Sequence, residues 1–272
     1  MVNKLLKYES AYYTRTMLPM YLVLLAVAVF TRIIQFFESE HTAYSIVFVS
    51  SVVALVVASL VCLVMAFIVS ITRFYRNMFT AEGYLTLTLP VTPNQHIFAK
   101  VFSAWLCGIV SAIAVVLSAM IATEWDVIKE IFRSIGYLIG KLFDTEYAGG
   151  FVLLGSECLV SILLGLAVGL LLVYTCIAIG QRAKKSRILA AFGVYLAFYF
   201  AEQFLGTAFI ILASVCSEIR PGWYVALSEL FARHPLGFVN STLGIGLVVL
   251  AAFGVLCWFI VNRTLKKHLN VE

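Results

Sequence analysis

Four polar side chains within otherwise apolar stretches are the residues of this sequence best suited to chemistry inside a membrane. Glu202, followed directly by Gln203, lies near the middle of an apolar run, and Arg32 and Glu157 lie near the ends of theirs. An ionised carboxylate at the centre of a bilayer costs at least ~2.5 kcal/mol on insertion scales, so it is usually paired or lines a cavity. Two interpretations stay open: the four groups line a polar cavity or subunit seam, or they either pair or extend to the interface, with Glu202 protonated.

Familiar catalytic and nucleotide-binding motifs do not occur in the sequence. It contains neither the HExxH pair of metalloproteases nor the GxSxG of hydrolases. The nearest approach to a phosphate-binding loop, GYLIGKL at 136–142, has three residues between its glycines and no Ser or Thr after Lys141. The six cysteines form no CxxC and are interpreted as small buried hydrophobes: Cys62, Cys107, Cys158, Cys176, Cys216 and Cys257. We therefore expect no catalytic residue, no metal site and no ATP hydrolysis in this chain.

Apolar helices are the elements that must position the polar residues. The chain has 272 residues, of which 62% are hydrophobic and 12% charged, whereas an ordinary soluble domain carries about 25% charged residues. A span needs roughly 20 apolar residues to cross about 30 Å of hydrocarbon. Six stretches meet this requirement: 17–37, 43–71, 97–123, 150–180, 188–216 and 241–261. The sequence predicts an all-α integral membrane protein with six transmembrane helices in a single transmembrane domain, 1–272.

Basic residues are concentrated on one side of these spans. The N-terminal segment, the second and fourth connections and the C-terminal tail hold 13 of the 19 Lys and Arg residues. By the positive-inside rule that side is cytoplasmic, which predicts a multi-pass protein with both termini inside. The net charge of +5 then needs no nucleic-acid partner. A cleavable signal peptide ending near Ala28 is the weaker alternative, because the apolar run continues to Phe37.

Three further segments have amphipathic or interfacial character. Residues 1–16 place Lys4 and Lys7 opposite an apolar arc interrupted by Glu9, which predicts an interfacial helix, with a frayed terminus as the alternative. In 124–149, apolar residues recur at three- and four-residue spacing, which predicts an outer amphipathic helix on the membrane surface. Prolines and aromatic residues in 218–240 predict short outer helices before the sixth span. Small residues predict close helix packing at Ser161, Gly165, Gly169, Gly246 and Gly254.

The cytoplasmic connection at 73–92, RFYRNMFTAEGYLTLTLPVT, differs from a solvated loop because it is rich in aromatic residues. A short helix over 76–82 that ends at Gly83 is expected. Thr92, Pro93 and Gln95 have the features of a helix start: an N-cap, a proline at the first helical position and a partner for a capping box. We interpret the connection as a compact knob that can dock on another protein.

The segment FYRNMFTAEGYLTLTLPVTPNQHIFAK and the ending RTLKKHLNVE resemble small bacterial permeases of ABC-2 type ABC transporters. The resemblance implies that 73–92 is a coupling segment, or coupling helix, that docks in a groove of a separate ABC ATPase subunit. Its coupling residues are then Phe74, Tyr75, Met78, Phe79, Glu82, Gly83, Tyr84 and Leu85.

The same resemblance implies the partners and the location. A second permease, identical or related, packs against this one, and spans one and five lie at or near the seam. ATP and Mg are on the ATPase subunits, this chain holds no cofactor, and the complex lies in the plasma membrane of a bacterial cell. Within the family the chain is most similar to permeases that export amphipathic peptides of the phenol-soluble modulin type.

The leading hypothesis is the permease subunit of an ATP-driven exporter that works by alternating conformations. Few charges occur in the spans, so the expected cargo is amphipathic or hydrophobic: a peptide, a lipid or a drug. Two alternatives belong to other classes. One is a membrane-embedded enzyme that uses Glu202 as an acid–base group, although no second carboxylate or histidine lies at matching depth. The other is a non-transporting membrane scaffold or sensor.

Overall fold

The computed structural model describes residues 2–37, 42–80, 92–143, 148–183, 186–219 and 221–267. Within them the ordered elements are helices: α1 Val2–Gln35, α2 Thr42–Phe79, α3 Pro93–Ala122, α4 Trp125–Phe143, α5 Ala148–Gly180, α6 Arg187–Ile219, α7 Pro221–Arg233 and α8 Pro235–Lys267. Six of them are long and apolar enough to cross a membrane, namely α1, α2, α3, α5, α6 and α8. The predicted all-α class is confirmed for the described residues, and so is the predicted number of helices able to cross a membrane.

The spanning helices are longer than the apolar stretches that predict them. Residues 2–16 are the first turns of α1, which continues through Pro19 to Gln35 without a break. Residues 2–16 and the first apolar stretch therefore form one helix, and the interfacial position of 1–16 stays a prediction. Residues 76–79 likewise complete α2, and 81–91 lie outside the described residues.

The predicted start of the third span is confirmed. α3 begins at Pro93, and the backbone N–H of Thr92 donates a hydrogen bond to Gln95 Oε1 at 3.1 Å. The amide of Thr92 would otherwise lack a helical partner, so this contact is the local reason why the helix begins here.

The helices form two compact units. The first holds α1, α2, α3 and α4 as far as Ile139; the second begins at Gly140 and holds α5 to α8. The single transmembrane domain over 1–272 stays a prediction.

In the first unit, α1 and α3 run parallel in a constant register. Side-chain hydrogen bonds join Lys100 to Glu9, Tyr21 to Ser111, and Gln35 to the carbonyl of Ala122, at sequence separations of 91, 90 and 87 residues. α2 runs antiparallel to α1, because Arg73 meets Glu9 at one end and Thr31 Oγ1 donates to the carbonyl of Ser51 towards the other. The apolar core between these contacts contains Leu24, Ala28, Leu55, Cys62 and Ala122.

In the second unit, α5 and α8 run parallel. Asn240 Nδ2 donates to the carbonyl of Gly150 at 3.0 Å, and Thr175 Oγ1 donates to that of Cys257 at 3.3 Å. A Cβ at Gly254 would lie 2.9 Å from Val168 Cγ2, so the predicted close packing at Gly254 is confirmed.

The other predicted packing glycines are not at close contacts in this unit. Gly165, Gly169 and Gly246 have no atom of the described residues within 4 Å of a Cβ built on them. α6 has no buried residue among its described side chains. Both features leave surface on the second unit that its own helices do not cover.

Candidate functional site

Three helix ends meet where α2 leads into residues 81–91 and α3 begins after them. Arg73 and Asn77 lie in the last two turns of α2, and Lys100 lies in the second turn of α3. Glu9, in the third turn of α1, contacts all three side chains. We call these four residues the Glu9 cluster.

The carboxylate of Glu9 is the centre of the cluster. Its Oε2 lies 3.1 Å from Arg73 Nε, and its Oε1 lies 2.9 Å from Lys100 Nζ. Oε1 also accepts a hydrogen bond of 3.2 Å from Asn77 Nδ2. The side chains of Lys100 and Glu9 are only 2% and 8% exposed, and that of Arg73 is 22% exposed. One carboxylate therefore binds two cations and an amide in a site largely shielded from solvent.

The two cations and the one carboxylate of the cluster leave one positive charge in excess. The ring of Tyr12 lies against Arg73, one of the two cations. The Arg73 guanidinium carbon lies 3.9 Å from the centroid of that ring, a cation–π contact. Removing one partner of a buried ion pair typically costs about 3–5 kcal/mol, because the remaining charge is left without compensation. The cluster consequently holds three helices in one relative geometry.

The buried polar face of α3 continues on both sides of Lys100. His96 and Ser103 lie one turn before and one turn after it, and each is nearly inaccessible, at 1% and 2% exposure. Neither ring nitrogen of His96 nor the hydroxyl of Ser103 has a hydrogen-bond partner among the described residues. Polar atoms buried in this way normally have a hydrogen-bond partner, and the described residues do not provide one for either side chain.

The predicted coupling residues on α2 do not form an exposed surface. Phe74, Met78 and Phe79 are 1%, 0% and 7% exposed, so these three side chains are covered within the chain itself. They lie on the face of α2 that packs in the first unit, together with Asn77. Tyr75 is partly exposed. Glu82, Gly83, Tyr84 and Leu85 lie outside the described residues, and the coupling role itself stays a prediction.

Arg32 is paired at the end of α1. Its Nη1 donates to Gln35 Oε1 at 2.7 Å, and its guanidinium lies 5.4 Å from the ring centroid of Phe36. Gln35 in turn donates to the last helical carbonyl of α3, at Ala122, at 2.8 Å. Of the two interpretations of Arg32, pairing is the one observed.

Glu157 lies at the contact between α5 and α8. Its Oε1 lies 3.8 Å from the position that a Cβ of Gly244 would occupy. Its Oε2 is buried without a hydrogen-bond partner in the described part of the chain, as is Oδ1 of Asn240, one turn before Gly244 on α8. This helix contact therefore contains two acceptor oxygens that lack a donor.

Glu202 and Gln203 are exposed on α6. The described residues of the second unit do not enclose them, so any cavity or seam at this position needs a surface from outside the unit. None of the ion pairs within the described ranges includes Glu202, and the alternative of a protonated Glu202 stays open.

The Glu9 cluster was not predicted from the sequence. Its signal is present, because Glu9 is the one acidic residue on the apolar arc of residues 1–16. An acidic group at such a position indicates a buried cationic partner, but the identity of that partner depends on contacts 64 to 91 residues away.

Comparison with known proteins gives no relative. No protein-family model, curated protein or solved structure matches this chain.

Proposed function

We propose that the protein is the permease subunit of an ATP-driven exporter of the ABC-2 type, driven by separate ABC ATPase subunits. The observation that carries the proposal is the Glu9 cluster, which ties the start of α1 to both helices that flank residues 81–91. In the resemblance stated above, that connection is the coupling segment.

A coupling segment must pass the movement of an ATPase to the membrane helices. If α2 and α3 were joined only through this connection, its movement could shift each helix without the other. The ion pairs of Glu9 instead join α1, α2 and α3, and the register of α1 and α3 continues from Glu9 to Gln35, about 39 Å at 1.5 Å per residue. Force on the connection is thereby delivered to three helices as one body, which suits a transition between inward- and outward-open states.

The second permease is assigned to the uncovered surface of α6. No described side chain of α6 is buried in the chain, and Phe204, Phe209 and Ile210 are 75%, 75% and 68% exposed. A partner surface there would also enclose Glu202. An amphipathic peptide is the cargo class we favour, because few charges occur in the spans.

We propose the plasma membrane of a bacterial cell as the location, with both termini in the cytoplasm. The basic residues of the N-terminal segment, of the second and fourth connections and of the C-terminal tail support this orientation.

The test is purification of the full chain from its native membranes, followed by reconstitution in vesicles. We expect an ABC ATPase to co-purify with the permease and its ATP turnover to rise when an amphipathic peptide is present. A permease that binds no ABC ATPase, or whose bound ATPase does not respond to the peptide, would contradict the proposal. In that case, an enzymatic activity of the purified chain that is lost in Glu202→Gln would favour the alternative of a membrane-embedded enzyme.

A further inference from the structure

A groove near the N-terminal ends of α1 and α3 has the composition of a site for an amphiphile. It has a volume of about 380 Å³ and is lined by four polar and three apolar residues: Asn3, Lys7, Ser10 and Ser103, and Leu6, Phe102 and Leu106. The groove lies beside the Glu9 cluster in the first unit, because Ser10 follows Glu9 and Ser103 is one turn beyond Lys100.

Ser103 lines the groove, and its hydroxyl is a hydrogen-bond donor that has no acceptor among the described residues. This side chain is 2% exposed and its hydroxyl has no hydrogen-bond partner in the part of the chain that the structure describes. A buried hydroxyl is normally hydrogen-bonded, because leaving it without a partner is unfavourable. The hydroxyl oxygen is covered in this structure, so the Ser103 side chain must rotate towards the groove before a ligand atom can accept its hydrogen bond and remove this cost.

The charge of the groove selects an anion. Lys7 brings the only charged side chain among the lining residues that the structure describes. The neighbouring carboxylate of Glu9 does not neutralise Lys7, since it is bound by Arg73 and Lys100. The amide of Asn3 adds a further donor. A phosphate ester, with several acceptor oxygens and a negative charge, satisfies these groups.

The apolar side of the groove continues along α3. Leu106 lines the groove and is 37% exposed, and Val110, Ile113 and Leu117 follow it on the same face, at 48%, 52% and 53% exposure. Residues spaced by three and four form one stripe on a helix. This stripe leads from the polar groove along a helix long and apolar enough to cross the membrane, as an acyl chain would.

We propose that the groove is a binding site for an anionic phospholipid, with the headgroup phosphate at Lys7 and Ser103 and an acyl chain along the Leu106 stripe. The proposal requires only that α1 and α3 cross a bilayer, so it does not depend on the exporter function. A lipid in this position contacts both helices that the Glu9–Lys100 pair joins. A bound anionic lipid then stabilises the contact between α1 and α3, which the Glu9–Lys100 pair also stabilises.

Trp105 provides a reporter, because its ring lies 5.9 Å from that of Phe102, which lines the groove. The full chain is prepared with Trp125, Trp223 and Trp258 replaced by Phe and placed in phosphatidylcholine vesicles. Brominated phosphatidylglycerol or brominated phosphatidylcholine is then titrated in, and quenching of Trp105 is measured.

We expect the brominated anionic lipid to quench Trp105 at a lower mole fraction than the zwitterionic one. Lys7→Gln should weaken the anionic lipid about fivefold, the effect of one basic residue near an anionic headgroup, and Ser103→Ala should weaken it in the same direction. The matched control is Lys4→Gln, the same charge change on the same helix at an exposed residue outside the groove, and it should weaken the anionic lipid less than Lys7→Gln does, because Lys4 does not line the groove.

Three results would overturn the site: equal quenching by the two lipids in the parent protein, an equal loss in Lys4→Gln and Lys7→Gln, or no loss in Lys7→Gln. A further arm adds inorganic phosphate against sodium chloride at equal ionic strength. Phosphate that displaces the brominated lipid, where chloride does not, would assign the groove to free phosphate and contradict the lipid. No displacement supports a site that needs the acyl chain.

Discussion

The Glu9 carboxylate lies 2.9 Å from the Lys100 ammonium, and the two residues are 91 positions apart in the sequence. The contact joins the third turn of α1 to the second turn of α3, at the same level as the pair between Glu9 and Arg73 of α2. The N-terminal part of α1 is therefore bound to both α2 and α3. These two helices flank the connection that we propose docks on the ATPase.

Glu9→Gln should destabilise the permease strongly. It removes the charge that compensates Arg73 and Lys100 in a site where all three side chains are at most 22% exposed, and breaking a buried pair costs about 3–5 kcal/mol. The measurement is thermal unfolding in detergent, followed by size-exclusion chromatography after heating.

The control for this variant is Lys129→Gln. It breaks an ion pair with Asp126 whose side chains are 61% and 91% exposed, and no change in the midpoint is expected. The double variant Glu9→Gln with Lys100→Met should be less destabilised than the sum of the two single variants. Additive losses would mean that the two residues do not interact as the structure has them.

Phe79→Ala and Tyr84→Ala should have different effects, although both remove an aromatic side chain from the 73–92 segment. Phe79 is 7% exposed, so its truncation should cost about 3–5 kcal/mol of permease stability. Tyr84 is assigned to the ATPase groove, and its truncation should leave the permease stable and inserted.

Pull-down of the ATPase and cargo-stimulated ATP turnover separate the two roles. Tyr84→Ala and Gly83→Pro should weaken both quantities at unchanged thermal stability. If both variants bind and couple as the parent does, residues 81–91 are not the coupling element.

A cysteine in place of Glu202 should form a disulfide between two copies of the chain. The reason is that α6 has no buried side chain among its described residues and is proposed to face the second permease. The assay uses a cysteine-free background, a mild oxidant and non-reducing electrophoresis of native membranes. Ile46→Cys is the matched control, since Ile46 is 65% exposed but lies on α2. Equal yields of dimer at the two positions would count against α6 as the seam.

The apolar face of α4 should be covered by lipid. Ile131 is 49% exposed and Ile135 is 45% exposed, whereas the opposite face of the helix carries Asp126, Lys129 and Arg133. In a cysteine-free background, Ile135→Cys should be protected from a water-soluble maleimide added outside intact cells, and Arg133→Cys should react. Because Arg133 and Ile135 are both exposed in the chain itself, a difference in labelling reports the membrane. Equal reaction would show that α4 is not at the interface.

The number and type of the spanning elements could be predicted from the sequence because the bilayer acts on each segment separately. A chain in hydrocarbon must satisfy its backbone groups within the segment, so any apolar run of sufficient length becomes a helix. The start of α3 was equally predictable, since Thr92 and Gln95 are three residues apart and interact within one turn.

The contacts between helices could not be predicted in this way. Glu9 meets Arg73, Asn77 and Lys100 at separations of 64, 68 and 91 residues, and the periodicity of one helix does not specify which face of another it meets. Phe74 and Met78 belong to the segment that is predicted to dock on another protein, yet α2 continues as a helix through them and they are buried within the chain. Glu202 is predicted to face protein, but no described helix of its unit encloses it. Composition and short-range spacing thus determine which segments enter a membrane, whereas the pairing of charges and the burial of side chains depend on long-range packing, which no local pattern encodes.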